Sequence, residues 1–573
     1  MATRRTLLLA ALLVIILAGG WLWWNRPQRA DMMTYAPAES ILYLEANSLP
    51  EIVRVLASTD AWKQLAPLVG AVQISDRANW LSQIAARTGL GSADFVVFSR
   101  AQVAFVVLDF EITEAGETLK VKPRAAIIAE THTSESRTRA AIERRVGQFA
   151  RRAYGGPHVE RKETDGATYM TWSAPSGGRQ ITAVVSGSLA IIGNDEETVR
   201  VCLAVKRGEH PSFAGNKEAV EMRRHISGDG ALAFGYVSPA GTTKLLEVTA
   251  MSYAAQTSLE PRAMGLAASL LPRLATKVLG GAGWSARFTA GAIEDRYLLS
   301  LSDSVTERLR QAAPAPIPAS RGASSLLPSS TYSLTLYNYR DPELAWRSLN
   351  SALMTQLDLL SAGFLSAILK ESLAPYGIDN PEEFLRAVGP EIATARLDET
   401  TEQTVAVVEM RDETTLRRIV AKRLGPNPRS VRIGDAEMLT SSGKDRGAAS
   451  FVGDRLVLGT VSGVKRCLEA RAQNQTLATL DSFDQAARRA SAAGPAEVIT
   501  YASDRTPALT FISAIAPRQA QDQTTLRTAL DRLPYSTTLT RVVEGGIERR
   551  TRSAFGLFGF FAAQLASEPD SQG

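Results

Sequence analysis

Cysteine and histidine are scarce in this chain of 573 residues, which contains two cysteines and four histidines. Two thiols are too few for a structural zinc site made of thiolates, which is excluded. A disulfide between them is the less favoured alternative, because it would need the interface between the two halves to bring their helix faces together. Cys202 and Cys467 lie on apolar faces of predicted helices, where a free cysteine acts as a small buried hydrophobe. The second half of the chain has no histidine, so no histidine-dependent triad or metal cluster can be common to both halves. The histidines are His132, His158, His210 and His225.

Net charge is also small, at +5 with an isoelectric point near 9.1. A nucleic-acid-binding domain concentrates much more positive charge, so we expect no nucleic-acid partner. The sequence lacks nucleophile-elbow, zincin and phosphate-loop motifs, and no pair of carboxylates recurs at equivalent positions of the two halves. These absences predict no catalytic residue, metal or cofactor, and they favour a protein that is not an enzyme.

One long hydrophobic run does occur, near the amino end. Residues 7–24, beginning with Leu7 and ending with Trp24, are apolar and about as long as a helix that crosses a bilayer. Three tryptophans cluster at the far end of the run, as is typical of a membrane interface. A cleaved signal peptide is the alternative, but the cleavage pattern is poor. We expect an uncleaved signal anchor, with the bulk of the chain outside the cytoplasm.

Two stretches of the chain share one pattern. Residues 184–193 (VVSGSLAIIG) and 451–459 (FVGDRLVLG) each contain two apolar runs joined at a glycine, which predicts a tight hairpin. A helix is predicted after each hairpin, capped at Asn194 in the first and at Ser462 in the second. Both helices carry apolar residues at i, i+3 and i+4, namely Val199, Cys202, Leu203 and Val464, Cys467, Leu468.

Other segments recur in the same order. Each half has a proline-containing turn before a strand, an antiparallel strand pair, a basic helix and a closing hairpin. Antiparallel strands with intervening helices predict an α+β fold. We therefore predict two tandem, divergent copies of one α+β domain, each with an antiparallel sheet and packed helices. The predicted boundaries are 1–30 for the anchor and spacer, 31–310 for the first copy, 311–325 for a Pro/Ala linker, 326–566 for the second copy and 567–573 for a polar tail.

Basic residues concentrate on one predicted helix in each copy, over residues 134–152 and 413–424. Such a face suits an anionic lipid, a polymer or an acidic protein, although a solvated helix face is the simpler interpretation. The candidate interaction surface consists of Arg137, Arg144, Arg145, Arg151, Arg152, Arg417, Arg418, Lys422 and Arg423.

The chain has an apolar tail at residues 555–565 (FGLFGFFAAQL). This segment is too short to span a bilayer as a helix. We expect it to pack in the core or in an interface, and an exposed partner patch is the alternative.

The first domain opens with Pro37-Ala38-Glu39-Ser40 and an ILYL strand, and residues 453–459 (GDRLVLG) precede a helix. In these features the chain resembles uncharacterised bacterial membrane-anchored envelope proteins described as a domain of unknown function. The resemblance implies an extracytoplasmic duplicated α+β domain, and it implies no activity, cofactor or catalytic residue. The first copy departs from the pattern at residues 187–189, where the turn has no charged residue.

Three functions remain open at this stage. The leading hypothesis is a non-enzymatic, membrane-anchored envelope protein that binds a partner protein, a lipid or a cell-wall component. The second is a periplasmic carrier that holds an apolar ligand between its sheet and its Ala/Leu-rich helices. The third is a hydrolase with an unfamiliar site.

Overall fold

A computed structural model describes most of the chain. The described residues are 29–69, 97, 101–115, 118–164, 166–228, 230–256, 276–315, 322–354, 363, 378, 380–399, 403–425, 427–441, 447–515 and 523–566. The predicted signal anchor at residues 7–24 and the polar tail at 567–573 lie outside these residues. Within the described part, the model contains no helix with both the length and the apolar character needed to cross a membrane.

The first part of the chain alternates strands with helices. In order, it forms a 3-10 helix (Met32–Tyr35), β1 (Leu42–Ala46), α1 (Leu49–Ser58), α2 (Asp60–Leu65), a 3-10 helix (Ala66–Val69), β2 (Gln102–Ala115), β3 (Thr118–Glu130), α3 (Glu135–Tyr154), β4 (His158–Thr164), β5 (Ala167–Ser173), β6 (Gln180–Ser186), β7 (Leu189–Gly193), α4 (Glu196–Arg207), a 3-10 helix (Phe213–Gly215), α5 (Lys217–Ile226), β8 (Ala233–Val237), α6 (Pro239–Gln256), β9 (Leu279–Thr289), β10 (Ala292–Leu301) and α7 (Asp303–Arg310).

A closely similar succession follows. It comprises a 3-10 helix (Ala323–Ser325), β11 (Ser333–Asn338), α8 (Pro342–Met354), α9 (Pro381–Ala387), β12 (Val388–Arg396), β13 (Thr404–Met410), α10 (Glu413–Leu424), β14 (Arg429–Ile433), β15 (Ala436–Thr440), β16 (Ala448–Val452), β17 (Arg455–Gly459), α11 (Val461–Ala472), a 3-10 helix (Leu477–Thr479), α12 (Asp481–Ala492), β18 (Val498–Ala502), α13 (Arg505–Ile515), α14 (Gln523–Asp531), β19 (Ser536–Val543), β20 (Gly546–Ser553) and α15 (Gly556–Ala566). The α+β class with an antiparallel sheet is confirmed.

Contacts divide the chain into two compact units. The first contains the described residues within Met1–Ile52, Leu81–Leu108 and Arg124–Asn216, and the second contains those within Val53–Trp80, Asp109–Pro123 and Lys217–Gly573. These units differ from the copies predicted at 31–310 and 326–566, because strands β8 to β10 belong to the second unit.

In the first unit, strands β3, β7, β6, β5 and β4 form an antiparallel series, and β1 pairs with β2. The predicted hairpin at Gly187 joins β6 to β7, and this glycine has a φ of 63° that other residues rarely adopt. Helix α3 packs on β5, β6 and β7. Its Ile142, Val146 and Ala150 form a buried cluster with Trp172.

In the second unit, the antiparallel series runs β8, β9, β10, β20, β19, β18, β11, β12, β13, β17, β16, β15 and β14. The two closing hairpins are side by side in this series because β10 pairs with β20, with Arg296 opposite Arg550. Both guanidinium groups donate hydrogen bonds to the buried carboxylate of Glu548. Burial opposes ionisation of Glu548, but these hydrogen bonds hold its pKa below the usual value.

The caps of α4 and α11 differ from those that the sequence predicts. Asp195 caps α4 by accepting from the Thr198 N–H at 2.8 Å, and Thr460 caps α11 by accepting from the Gly463 N–H at 3.1 Å. The predictions of Asn194 and Ser462 are therefore wrong. The Asn194 side chain instead accepts from the Ala125 N–H on β3, so a long-range hydrogen bond displaced the local one.

Cys202 on α4 and Cys467 on α11 are both buried and both free. Burial raises the pKa of each thiol to about 12. Both cysteines therefore pack as small apolar side chains, as expected.

The apolar tail forms α15, and its phenylalanines divide between core and surface. Phe555 packs on Phe511 with ring centroids 4.1 Å apart, and Phe558 meets Trp284 edge-on at 6.0 Å. Phe560 remains 58% exposed. Core packing and an exposed patch, which the sequence offered as alternatives, thus occur on one helix.

The described beginning of the predicted linker is fixed in place. Pro314 forms an isolated antiparallel bridge with Tyr339. The Ala315 N–H donates to the Asn338 carbonyl at 2.9 Å. Residues 313–315 therefore follow the end of β11 as extended chain.

Candidate functional site

Helix α3 carries the first five residues of the predicted interaction surface. Its buried stripe fixes one face on the sheet, and its 20 residues span about 30 Å. Six arginines and two glutamates lie on the helix, giving +4 of the whole chain's net charge of +5. Two arginines in the last turn also complement the helix dipole. The rest of the chain is therefore nearly neutral as a sum, at +1.

The arginines of α3 differ in how they are paired. Glu135 pairs with Arg139 along the helix, and Glu143 pairs with Arg161 on β4 at 3.0 Å. The exposed Arg137, Arg151 and Arg152 form no ion pair with any residue that the structure describes. These three guanidinium groups are available to an anion.

The arginines follow the helix periodicity. Arg137, Arg144 and Arg151 are seven residues apart, so they project from one side of α3 at intervals of about 10 Å. Arg145 is half-buried and donates to the Gln148 side chain at 3.0 Å. Phe149 is 56% exposed, which places an apolar ring on the flank of this basic face.

The carboxyl end of α3 has a further cation that sequence reasoning missed. The guanidinium of Arg179, from the β5–β6 connection, lies 5.7 Å from the ring centroid of Tyr154. It adds to the charge of Arg151 and Arg152 in the last turn of the helix.

A polar cluster holds the amino end of α3. The hydroxyl oxygens of Thr131 and Thr138 are 2.7 Å apart, and Thr131 also donates to the Ser188 carbonyl at 2.8 Å. His132 has a φ of 51°, an uncommon value for a residue with a side chain. The buried carboxylate of Glu130 accepts a hydrogen bond from the backbone N–H of His132 at 2.9 Å and so supports the conformation of His132.

The same cluster fixes the start of the described chain. The amide of Gln102 accepts from the Ala30 N–H at 2.8 Å and donates to the Ala30 carbonyl at 3.0 Å. His132 Nε2 lies 3.0 Å from the same Gln102 oxygen. We call these three residues the amino-end clamp. It places residue 30 beside the beginning of α3, and no local sequence pattern indicates it, because its members are far apart in the chain.

The other four predicted residues lie on α10, in the second unit. Arg417 pairs with Glu413 at 2.6 Å, and its guanidinium lies 4.1 Å from the Phe451 ring centroid. Arg418 pairs with Glu383 of α9 at 2.8 Å. Lys422 is exposed, and Arg423 lines a small cavity. Two of the four basic residues of α10 are thus paired with carboxylates, one on α10 itself and one on α9.

That cavity lies between α9, α10 and the sheet. It is lined mainly by apolar side chains and has a volume of about 10 Å³. This space holds about one water molecule and is far smaller than an apolar ligand of lipid size. The lining includes Phe384, Leu416, Val420, Arg423 and Leu458.

Two buried carboxylates in the second unit hold the start of α15. Asp295 accepts from the Trp284 indole N–H at 2.9 Å and from the Leu557 N–H at 3.0 Å, and Asp504 accepts from the Ala554 N–H at 2.7 Å. Burial raises the pKa of Asp295 to about 6 and that of Asp504 to about 7. Asp295 thus caps the first turn of α15 and Asp504 holds the residues just before it, and no cluster of metal-ligating side chains occurs among the described residues.

Comparison with known proteins yields no match to a protein-family model, a curated protein or a solved structure.

Proposed function

We propose that this protein is a non-enzymatic, membrane-anchored protein of the bacterial envelope that binds an anionic partner through α3. In this proposal, residues 7–24 span the membrane and the rest of the chain lies on the periplasmic or extracytoplasmic side. The apolar run, with its tryptophans at one end, supports the anchor.

We also propose that the chain consists of two divergent copies of one domain. The matching succession of elements supports this, and so do equivalent local contacts. The Ser40 hydroxyl donates to the Pro37 carbonyl, and the Thr331 hydroxyl donates to that of Pro328. A second pair of equivalent contacts is formed by the backbone. The Phe213 N–H donates to the Ala36 carbonyl, and the Leu477 N–H donates to the Leu327 carbonyl.

The observation that carries the function is the exposed, incompletely neutralised arginine face of α3. A guanidinium presents its donors in a planar fork that fits phosphate and carboxylate groups with two hydrogen bonds. A row of such groups along one helix suits a partner that repeats its anionic groups, such as a phosphate-bearing polymer or lipid surface. The alternative of an apolar-ligand carrier gains no support from a cavity of about 10 Å³.

Binding to inorganic polyphosphate tests the proposal. Full-length protein in a neutral detergent is titrated against immobilised polyphosphate, and the variant replaces Arg137, Arg151 and Arg152 with glutamine. We expect about 100-fold weaker binding, because each basic residue contributes about 1 kcal/mol at an anionic surface. The slope of log affinity against log salt should fall by about 3.

A matched variant on the other basic helix provides the control. It replaces Arg417, Arg418 and Lys422 with glutamine and removes the same number of positive charges from α10. We expect this variant to bind nearly as tightly as the wild type. Equal losses in the two variants would mean that the overall charge, and not the α3 face, governs binding, and the proposed site would be rejected.

A further inference from the structure

The chain between the proposed membrane anchor and the first unit is very short. Ala30 is fixed by its two hydrogen bonds to Gln102, and Trp24 ends the apolar run. Residues 25–29 separate them, and a fully extended chain covers about 3.5 Å per residue, so the reach is about 20 Å. The buried Met32 and Met33 follow at once, so this distance cannot grow without unfolding part of the unit.

The end of this connection lies beside α3. Gln102 contacts both Ala30 and His132, and His132 precedes the first residue of α3, Glu135, by three positions. The amino-end clamp therefore brings the start of the basic helix to the place where the chain departs toward the anchor. The reach of about 20 Å is shorter than α3 itself, which is about 30 Å long.

We propose that α3 lies on the surface of the membrane in which the chain is anchored, with its exposed arginines bound to the phosphate groups of anionic phospholipids. This inference rests on the membrane anchor of the proposed function, and it names the partner of the same site.

Charge and spacing support a lipid surface as the partner. Arg137, Arg144 and Arg151 form a row with intervals of about 10 Å, which matches a plane of repeated headgroups better than a single small anion. The attraction of a basic residue to an anionic leaflet acts within about one Debye length, roughly 8 Å at physiological salt. The short connection limits how far the start of α3 can move away from that leaflet.

An apolar side chain on the flank of the helix fits the same surface. Phe149 is 56% exposed and lies in the carboxyl-terminal half of α3, at the far end from the clamp. An aromatic ring beside arginines is typical of helices that lie in the interfacial region of a bilayer. Contacts at both ends of α3 would hold the helix parallel to the membrane.

The tether also favours the membrane over a soluble polyanion. A binding surface that is linked to its target by a short chain meets it at a high effective concentration, whereas a soluble polymer or acidic protein must be captured from solution. The anionic leaflet is also a permanent neighbour of an anchored chain.

Fluorescence quenching in nanodiscs tests the inference on the full-length protein. Ala140, which is exposed between Arg137 and Arg144, is replaced by cysteine and labelled with a small fluorophore. Ala421 on α10 is also exposed and provides the control position. The native Cys202 and Cys467 are buried and stay unlabelled. Lipids with a nitroxide on the headgroup quench a label that lies at the membrane surface. The experiment compares discs that contain phosphatidylglycerol with discs of phosphatidylcholine alone.

We expect strong quenching at residue 140 in discs that contain phosphatidylglycerol and weak quenching in phosphatidylcholine discs. High salt should weaken the quenching in the discs that contain phosphatidylglycerol. Replacing Arg137, Arg144 and Arg151 with glutamine should lower the ratio of membrane-bound to released α3 about 100-fold, at about fivefold for each arginine. Quenching at residue 421 should not depend on lipid charge.

Other results would overturn the inference in distinguishable ways. Equal quenching at residue 140 in both kinds of disc would show proximity without headgroup binding. Absent quenching with retained polyphosphate binding would leave the proposed function standing, with a soluble polymer or an acidic protein as the partner. Loss of both signals would reject the inference and the proposed function together.

Discussion

Helices α3 and α10 each follow a pair of hydrogen-bonded strands, β2–β3 and β12–β13, and they differ in how their charges are paired. Both are rich in arginine, and α10 carries four basic residues against one acidic residue. On α10, two of these arginines are paired with Glu383 and Glu413, whereas Arg137, Arg151 and Arg152 of α3 have no carboxylate partner in the described structure. Two helices of similar composition therefore differ in the carboxylates that surround them.

Buried apolar positions agree between residues 31–310 and 326–566, and each range contributes one acid that is buried near the start of α15. The second unit buries Asp295 and Asp504 against the start of α15. Cys202 and Cys467 occupy matching helix positions, and Gly193 and Gly459 end matching strands. Buried packing is therefore alike at these positions, whereas the pairing of charge on α3 and α10 differs. The predictions below test this contrast, beginning with the largest effect.

Replacing Asp504 with asparagine should remove most of the pH dependence of the second unit. The folded-state pKa of Asp504 is raised to about 7 from an ordinary value of 3.8, so folding favours the protonated acid. The resulting stability is fully present below the unfolded-state pKa and is lost as pH rises through 7. Between pH 5 and 8 we expect the wild type to lose on the order of 3 kcal/mol. Asp504→Asn should lose much less, retaining the smaller contribution of Asp295.

The measurement is the urea concentration at the midpoint of unfolding, determined at each pH. Labelling of the Cys467 thiol detects the unfolded state. Cys467 lies in the second unit and becomes reactive when that unit unfolds. Asp435→Asn serves as the control, because the Arg471 hydrogen bond holds the pKa of Asp435 below its usual value, and this group stays ionised throughout. A wild-type midpoint that is constant from pH 5 to 8 would contradict the prediction.

The second prediction concerns the glycines that end β7 and β17. A Cβ at Gly459 would lie 2.3 Å from the Thr404 carbonyl oxygen, which is backbone and cannot move alone. A Cβ at Gly193 would lie 2.8 Å from a methyl group of Val199, a side chain that can shift. We expect Gly459→Ala to destabilise its unit by about 3 kcal/mol and Gly193→Ala by about 1 kcal/mol.

Cys202 and Cys467 report the two effects separately, because each belongs to a different unit. The urea midpoint measured at Cys202 should shift in Gly193→Ala, and that measured at Cys467 should shift more in Gly459→Ala. A larger shift at Cys202 would mean that the close approach to the Thr404 carbonyl relaxes easily, and the matched positions would then differ in packing as well as in charge.

Local patterns in the sequence predicted the elements well. The glycines at 187 and 453 form the hairpin turns, and the apolar triplets on α4 and α11 are buried, because turn chemistry and helix periodicity depend on neighbouring residues. The basic helices also occur where charge and periodicity indicated. Helix α10 has the predicted bounds, and α3 ends two residues beyond its predicted end.

Features that depend on distant residues could not be predicted from the sequence. Asn194 failed as a cap because its side chain bonds to Ala125, 69 residues away. The pairing of Arg418 with Glu383 joins residues 35 apart, and the contact of Gln102 with Ala30 joins residues 72 apart. The sequence therefore indicated which helices are basic but not which of them is neutralised, and that difference defines the candidate site.

The third prediction concerns a variant in which the arginines of α10 lose their carboxylate partners and so become more like the unpaired arginines of α3. Replacing Glu383 and Glu413 with glutamine removes the carboxylates that pair with Arg418 and Arg417 while keeping the side-chain shape. If pairing with these carboxylates is what prevents α10 from binding anions, the freed guanidinium groups should bind them. We expect the affinity of the full-length protein for polyphosphate to rise about fivefold, since exposed pairs of this kind contribute at most about 1 kcal/mol each and screening limits the gain.

The matched control replaces Glu469 and Asp484 with glutamine and asparagine. These carboxylates lie in the same unit but pair with Lys465 and Arg488, away from α10, so the control changes net charge by the same amount. A rise in affinity confined to the Glu383 and Glu413 variant would show that local pairing controls the surface. An equal rise in both would show that anion binding follows net charge, and the contrast between α3 and α10 would then lose its functional meaning.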